Sequence, residues 1–247
     1  MSKLSQLFPP SPSITETSLP SLSGQVFLIT GATSGIGLEL SRLLYAANAT
    51  VYLGARSETK ISVCMDALRA AYPSSQGKLG PFICDISDLS SIPSAVKKFL
   101  ETEPRLDGLV HNAGIMNPPD DKTKSRQGYE TQMATHALGP FLLTRLLQGV
   151  LLNTARLSGT VCESGGGEGE GGAGPRVVWV ASMISVGAPK GGMVWDDTAE
   201  KPKVWEAGMD NYMQSKVASV FLAHEFATRV GREAVLSVVS FHPSNRI

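Results

Sequence analysis

The sequence is poor in the residues that hold small secreted folds together. Its 247 residues include three cysteines, Cys64, Cys84 and Cys162, far apart and without a CxxC pair. So scattered and odd a set excludes a disulfide framework and a cysteine zinc site, and it points to a reducing, cytoplasmic setting. No metal site is expected. A run of about 18 apolar residues is missing, so no membrane span is expected. Charge of one sign is missing as well, since 22 basic residues balance 22 acidic ones. A chain with no net charge has no bulk attraction for nucleic acid. Residues 1–22 lack the apolar stretch of a secretory signal and carry Pro9, Pro10, Pro12 and Pro20 among serines and threonines. Those prolines forbid regular helix or central strand, so the segment reads as a flexible lead-in to a domain over 23–247.

What is present is hydrophobic order. Short apolar runs at residues 25–30, 50–55, 79–84, 106–111, 176–181 and 234–241 read as strands buried on both faces. Helical patterns separate them: 38–48, 58–71, 89–102, most of 127–157, and 212–230. Alternating strands and helices predict an α/β fold, a Rossmann-type doubly wound parallel sheet of six strands in three layers. One segment, 163–175 (ESGGGEGEGGAGP), is too rich in glycine to order itself. It precedes a strand, so it belongs at the sheet end away from any ligand.

Between the first strand and the first helix lies Thr30-Gly31-Ala32-Thr33-Ser34-Gly35-Ile36-Gly37. Gly31 permits the sharp exit from the strand, Gly35 lets backbone approach a pyrophosphate, and Gly37 lets helix pack on sheet. The helix N-terminus then offers free N–H groups and partial positive charge to the anion. The second strand ends in Gly54-Ala55-Arg56-Ser57, with no acid to accept from ribose hydroxyls. Arg56 is suited to a 2′-phosphate, with Ser34 or Ser57 as hydroxyl donors, which favours NADP(H) over NAD(H). The alternative is a surface arginine that merely starts a helix.

Further signals follow in order: Asp85 after the third strand, His111-Asn112-Ala113-Gly114 after the fourth, Ser182 after the fifth, then Tyr212-Met213-Gln214-Ser215-Lys216. With these the chain, over about residues 23–242, resembles a short-chain dehydrogenase/reductase. The wording of 139–144 and 176–180 is similar to the branch of retinol-dehydrogenase-like enzymes and fungal secondary-metabolite reductases. The resemblance implies that Asp85 meets the adenine amino group and that Asn112, Ala113 and Gly114 line the cofactor cleft. It implies that Ser182 orients the substrate oxygen, Tyr212 exchanges its proton and Lys216 holds the nicotinamide ribose. It also implies pairing of two copies through the long central helices.

The residues support that chemistry independently. Tyr212 and Lys216 stand four apart on one helix and share a face. A free tyrosine titrates near ~10, and poising it near ~7 takes roughly 4 kcal/mol. One cation about 4 Å away at an effective dielectric of about 20 supplies that much. The expected substrate is a small-molecule carbonyl or alcohol, lipophilic or aromatic in preference to a sugar. Met193, Trp195, Trp205 and Met209, in the stretch between Ser182 and Tyr212, either wall an apolar substrate or pack locally.

Two departures from the family pattern stand out. His136 occupies the place of an asparagine whose carbonyl, in the family, holds a relay water beside the lysine; a perturbed proton relay is expected, with His136 as a candidate catalytic group. After His242-Pro243-Ser244 the sequence reaches Ile247 without the family's cofactor-touching threonine, substrate lid or seventh strand. An exposed sixth strand and a wetter site are the expectation. The competing reading is a catalytically impaired dinucleotide-binding or scaffold protein, or a truncated remnant of such an enzyme.

Overall fold

A computed structural model describes residues 15, 18–120, 123–159, 174–198, 200–230 and 236–242. Among the described residues six strands form one sheet: β1 Val26–Thr30, β2 Thr50–Ala55, β3 Lys78–Ile83, β4 Gly108–His111, β5 Arg176–Ser182 and β6 Leu236–His242. Their order is β3-β2-β1-β4-β5-β6 and every pairing is parallel. The chain therefore reverses direction of travel across the sheet between β1 and β4, where doubly wound folds open a crevice at the strand carboxyl ends.

Among the described residues five helices longer than one turn cover the two faces: α1 Gly35–Ala46, α2 Glu58–Ala71, α3 Ile92–Thr102, α4 Gly139–Leu157 and α5 Gly208–Val230. The period-two alternation of the strands decides which face each residue feeds. Leu28, Leu109 and Trp179 point to one side, onto Phe99 of α3, Leu143, Leu147 and Leu151 of α4, and Phe226 of α5. Ile29, Leu53 and Val110 point to the other, onto Leu44 of α1 and Ile61, Met65 and Leu68 of α2. Each such leucine, fully buried, contributes about 1.5–3 kcal/mol relative to exposure.

Boundaries moved where side chains compete with the helix for backbone. The third helix begins at Ile92, not residue 89, because Asp88 Oδ1 accepts both the backbone N–H and the hydroxyl of Ser90 and folds a turn. Pro93 then sits in the first turn of α3, where its missing N–H costs nothing. The long helix expected from residue 127 starts at Thr131, since Gly128 takes a left-handed φ of 81° in a turn. Leu22, the last residue of the expected lead-in, is held: its N–H donates to Ala47 O at 2.7 Å and its side chain packs on the second core cluster. Residues 1–14 of that lead-in and 160–173, which contain most of the glycine-rich stretch, lie outside the described residues, as do residues 243–247. Among the described residues no helix is long and apolar enough to cross a membrane.

Between the single turn Thr131–Met133 and α4 the chain makes a π-turn, Ala134–Leu138, with the Gly139 N–H reaching back five residues to Ala134 O. Pro140 accounts for it. In an α-helix residue 140 would donate to His136 O, but proline has no N–H and its ring crowds that carbonyl. The orphaned acceptor is satisfied from α5, where Ser219 Oγ donates to His136 O at 2.9 Å.

Candidate active site

The glycine turn is built as its spacing requires. Gly31 has φ 68° and Gly35 φ 53°, conformations that side chains rarely adopt. A Cβ on Gly31 would lie 2.8 Å from Ala113 Cα, and one on Gly37 would lie 2.4 Å from Gly31 O. Gly35 instead faces open space, with nothing within 4 Å of where its Cβ would stand. Asn112 locks the turn from the next strand, Nδ2 donating to Thr30 O at 3.1 Å and Gly31 O at 3.2 Å. Thr30 Oγ1 accepts from the N–H of Asn112 and of Ala113 and donates to Val110 O. The hydroxyl of Ser34 makes no cap to α1, whose first turn carries no acid. The first backbone N–H groups of α1 therefore have no acceptor within the helix, beside exposed Ser34 and Ile36.

This turn forms one wall of a cleft of about 640 Å³, with Arg56, Asp85, Ala113, Gly114 and Thr135 among its lining. Asp85 is fixed by Ser87, whose N–H and hydroxyl both donate to Oδ1. Arg56 is exposed and makes no ion pair among the described residues. Beneath Asp85, burial pushes the Cys84 thiol up to about 11, so it is inert as a nucleophile at neutral pH.

Ser182, Tyr212 and Lys216 are not among the residues that line this cleft; they come from β5 and α5, and Lys216 approaches it at Gly114. Ser182 closes β5, accepts from Ile184 N–H at 3.4 Å and starts a short turn over Met183–Gly187. Tyr212 and Lys216 share one face of α5. Lys216 is 6 % exposed, and its Nζ donates to Val180 O at 3.0 Å, two residues before Ser182. It stands 5.7 Å from the centre of the Tyr212 ring. Burial lowers its pKa to about 8. No carboxylate pairs with it among the described residues, so a buried ammonium with three donors has one protein acceptor.

His136 joins this group. It is buried in the π-turn, its ring meets the Tyr212 ring edge to face at 5.5 Å, and both its nitrogens are hydrogen-bonded. A Cβ on Gly114 would lie 3.1 Å from His136 Nε2 and 3.6 Å from Lys216 Nζ, so cleft floor, histidine and lysine converge. Of the lone pairs on the carbonyl reserved for a relay water by the resemblance, one is taken by the Ser219 hydroxyl.

The family profile for short chain dehydrogenase matches residues 25–188. A short-chain dehydrogenase/reductase of Phomopsis amygdali is 40 % identical over 97 % of this chain and 68 % of its own length. The chain belongs to the short-chain dehydrogenase/reductase family. Its chemistry is therefore oxidoreduction at CH–OH and C=O groups. Another relative, from Phaeosphaeria nodorum, is 37 % identical over 94 % of this chain and 71 % of its own. Across four such relatives this dehydrogenase/reductase chain spans 64–71 % of their lengths. The fold recurs in a metagenomic short-chain oxidoreductase solved in complex with NADP, at TM-score 0.62 and 23 % identity over 92 % of this chain and 85 % of that one. It recurs in the Pseudomonas aeruginosa RhlG/NADP complex at TM-score 0.63 and 23 % identity, over 89 % and 72 %.

Three buried amides were missed in the sequence. Gln132 donates to Gly208 O at 2.8 Å and accepts from Asn117 N–H. Asn211 pairs with both the N–H and the carbonyl of Trp205 at 2.8 Å. Gln214 accepts from Val194 N–H and donates to Lys203 O. No local pattern marks them, because each is explained only by the backbone it bridges elsewhere in the chain. The four large apolar residues split. Met193 packs on a small cluster around Met133 and Ala218, and Trp195 is exposed. Trp205 and Met209 line a second cleft of about 620 Å³, which shares Asn117 and Pro118 with the first.

Proposed function

We propose that this dehydrogenase/reductase interconverts a lipophilic or aromatic carbonyl and its alcohol with NADP(H). The observation that carries the reading is Lys216, a buried cation without a carboxylate, one helical turn from Tyr212 at the strand carboxyl ends. NADP(H), when bound, supplies or takes the hydride at its nicotinamide. In reduction Tyr212 gives its hydroxyl proton to the carbonyl oxygen, and Lys216 stabilises the phenolate that remains. Ser182 donates a hydrogen bond to the same oxygen as charge builds there.

The N–H groups from Ser34 to Gly37 would hold the pyrophosphate, Asp85 the adenine, and Asn112, Ala113 and Gly114 the cleft floor. Arg56, exposed and without an ion pair, supports a 2′-phosphate and hence NADP(H) over NAD(H). Trp205, Met209, Val204 and Pro118 along the second cleft support an apolar substrate. Exposed Phe141 and Leu146 on α4 and Phe221 on α5 support a homodimer built on these helices.

NADPH oxidation with para-nitrobenzaldehyde, followed by loss of cofactor absorbance, tests the assignment. Tyr212→Phe is expected to lose about a thousandfold in kcat while NADPH still raises the melting temperature. A Tyr212→Phe protein that keeps a tenth of the activity overturns it.

A further inference from the structure

His136 is unusual in having every hydrogen-bonding position settled by its partners. The Ile115 backbone N–H donates to His136 Nε2 at 3.0 Å. A peptide N–H can only donate, so Nε2 carries no proton. The proton of the neutral ring then sits on Nδ1, which lies 2.7 Å from Ser215 Oγ. Ser215 Oγ in turn donates to Tyr212 O at 2.8 Å. The direction of each bond is thereby determined: Ile115 N–H to His136, His136 to Ser215, Ser215 to the backbone of Tyr212.

Such a chain cannot carry a proton. It begins at a peptide N–H and ends at a peptide carbonyl, and neither end gives up or takes a proton at ordinary pH. Protonating the imidazole would remove the acceptor of Ile115 and set a second cation in the same buried space as Lys216. The titratable groups around the ring are Lys216 and Tyr212, both on α5; Ser215 and Ser219 of α5 and the Gly114–Ile115 backbone complete its surroundings. Burial, then the Lys216 charge, hold its pKa well below the usual histidine range, in agreement with that geometry.

We infer that His136 is a positioning residue, a permanently neutral strut that ties the cleft floor at Gly114–Ile115 to the helix turn carrying Tyr212. The inference rests on Tyr212 being the reacting group, and it assigns His136 no proton of its own to move. The strut spans the two halves of the site: one end fixes backbone under the cofactor, the other fixes the Tyr212 carbonyl. Its requirement is one planar group with an acceptor and a donor on opposite edges.

The test combines a spectroscopic signature with rescue. In isotope-labelled wild-type protein the imidazole nitrogen shifts of His136 are expected to show the Nδ1–H tautomer, unchanged between about pH 5.5 and 9. His136→Phe orphans the Ile115 N–H and is expected to weaken NADPH binding by about tenfold. His136→Asn, which restores an acceptor and a donor, is expected to stay within about threefold of wild type in NADPH affinity and in turnover. Ser215→Ala is expected to weaken NADPH binding less than His136→Phe, with the double variant no worse than His136→Phe alone. A ring that titrates in that range, an Nε2–H tautomer, or a His136→Phe protein with wild-type affinity overturns the strut. The nitrogen shifts need no turnover, so a surviving Tyr212→Phe activity would sink the assigned reaction without deciding this one.

Discussion

The two ends of the site are built by different means. From β1 to β4 the ligand-facing surface is mainly backbone: N–H groups at the start of α1, glycines pressed against neighbouring main chain, and Asn112 and Thr30 bracing them. From β5 onward the surface is side chain, and the segment between Ser182 and α5 has no long helix or strand among its described residues. That segment is strapped to α5 by Asn211 and Gln214, and α5 to the floor by Gln132 and His136. Its exposure differs accordingly, with Val186 at 88 % and Val204 at 62 % open to solvent. Backbone recognition suits a ligand that never changes; a strapped, apolar, replaceable segment suits the part that varies.

The sharpest way to break this contrast is to put one methyl group into the backbone half. In Gly37→Ala the new Cβ would meet Gly31 O at 2.4 Å and Asn112 Nδ2 at 2.5 Å. Those atoms already bond each other at 3.2 Å, and Asn112 Nδ2 also donates to Thr30 O, so neither yields cheaply. Chemical denaturation should show a loss of about 3 kcal/mol or more, and NADPH should no longer stabilise the protein. Gly35→Ala enters open space and carries only the penalty of its left-handed φ, about 1–2 kcal/mol. Equal losses in the two variants would mean that close approach of the backbone does not organise the turn.

The side-chain half should fail differently. Gln214→Ala leaves the Val194 N–H without its acceptor and frees the Lys203 carbonyl, a local cost of about 1–3 kcal/mol. Because these bonds hold the segment before α5 and not the cleft floor, NADPH affinity should stay within about twofold. KM for para-nitrobenzaldehyde should rise about tenfold, and amide exchange at Val194 should accelerate. A matching loss of NADPH affinity would erase the division between the halves.

The same division explains what the sequence showed. β2 at Thr50–Ala55 and α2 at Glu58–Ala71 carry their boundaries in local patterns, an apolar run and a Ser57 cap accepting from Lys60 N–H. The glycine turn was legible because each glycine answers a local steric demand. Asn211, Gln214 and Gln132 were not, since a buried amide is explained only by the backbone it bridges, and those partners lie 6 to 76 residues away. The π-turn falls between these cases. Pro140, four residues after His136, marked the missing helical bond, but the hydroxyl that replaces it comes from Ser219, 83 residues on. Periodicity reports burial and hinge points; it is silent about which distant side chain satisfies an orphaned group.

Arg56 offers the smallest but most selective test, because it is a side chain placed in the backbone half. It stands at the end of β2 on the cleft wall, exposed and without an ion pair among the described residues, so its removal disturbs no packing. A guanidinium there gains a charge-assisted contact only if the ligand carries a 2′-phosphate. Arg56→Asp replaces that attraction with repulsion, while giving a 2′-hydroxyl an acceptor. Titration by intrinsic fluorescence should show NADPH affinity falling by about tenfold and NADH affinity unchanged or improved. Raising salt should narrow the wild-type preference for NADPH, since an exposed pair is screened within about 10 Å at ~0.1 M. If both cofactors lose equally, Arg56 is simply the start of a helix, and cofactor choice in this protein must be set by some other group on the cleft.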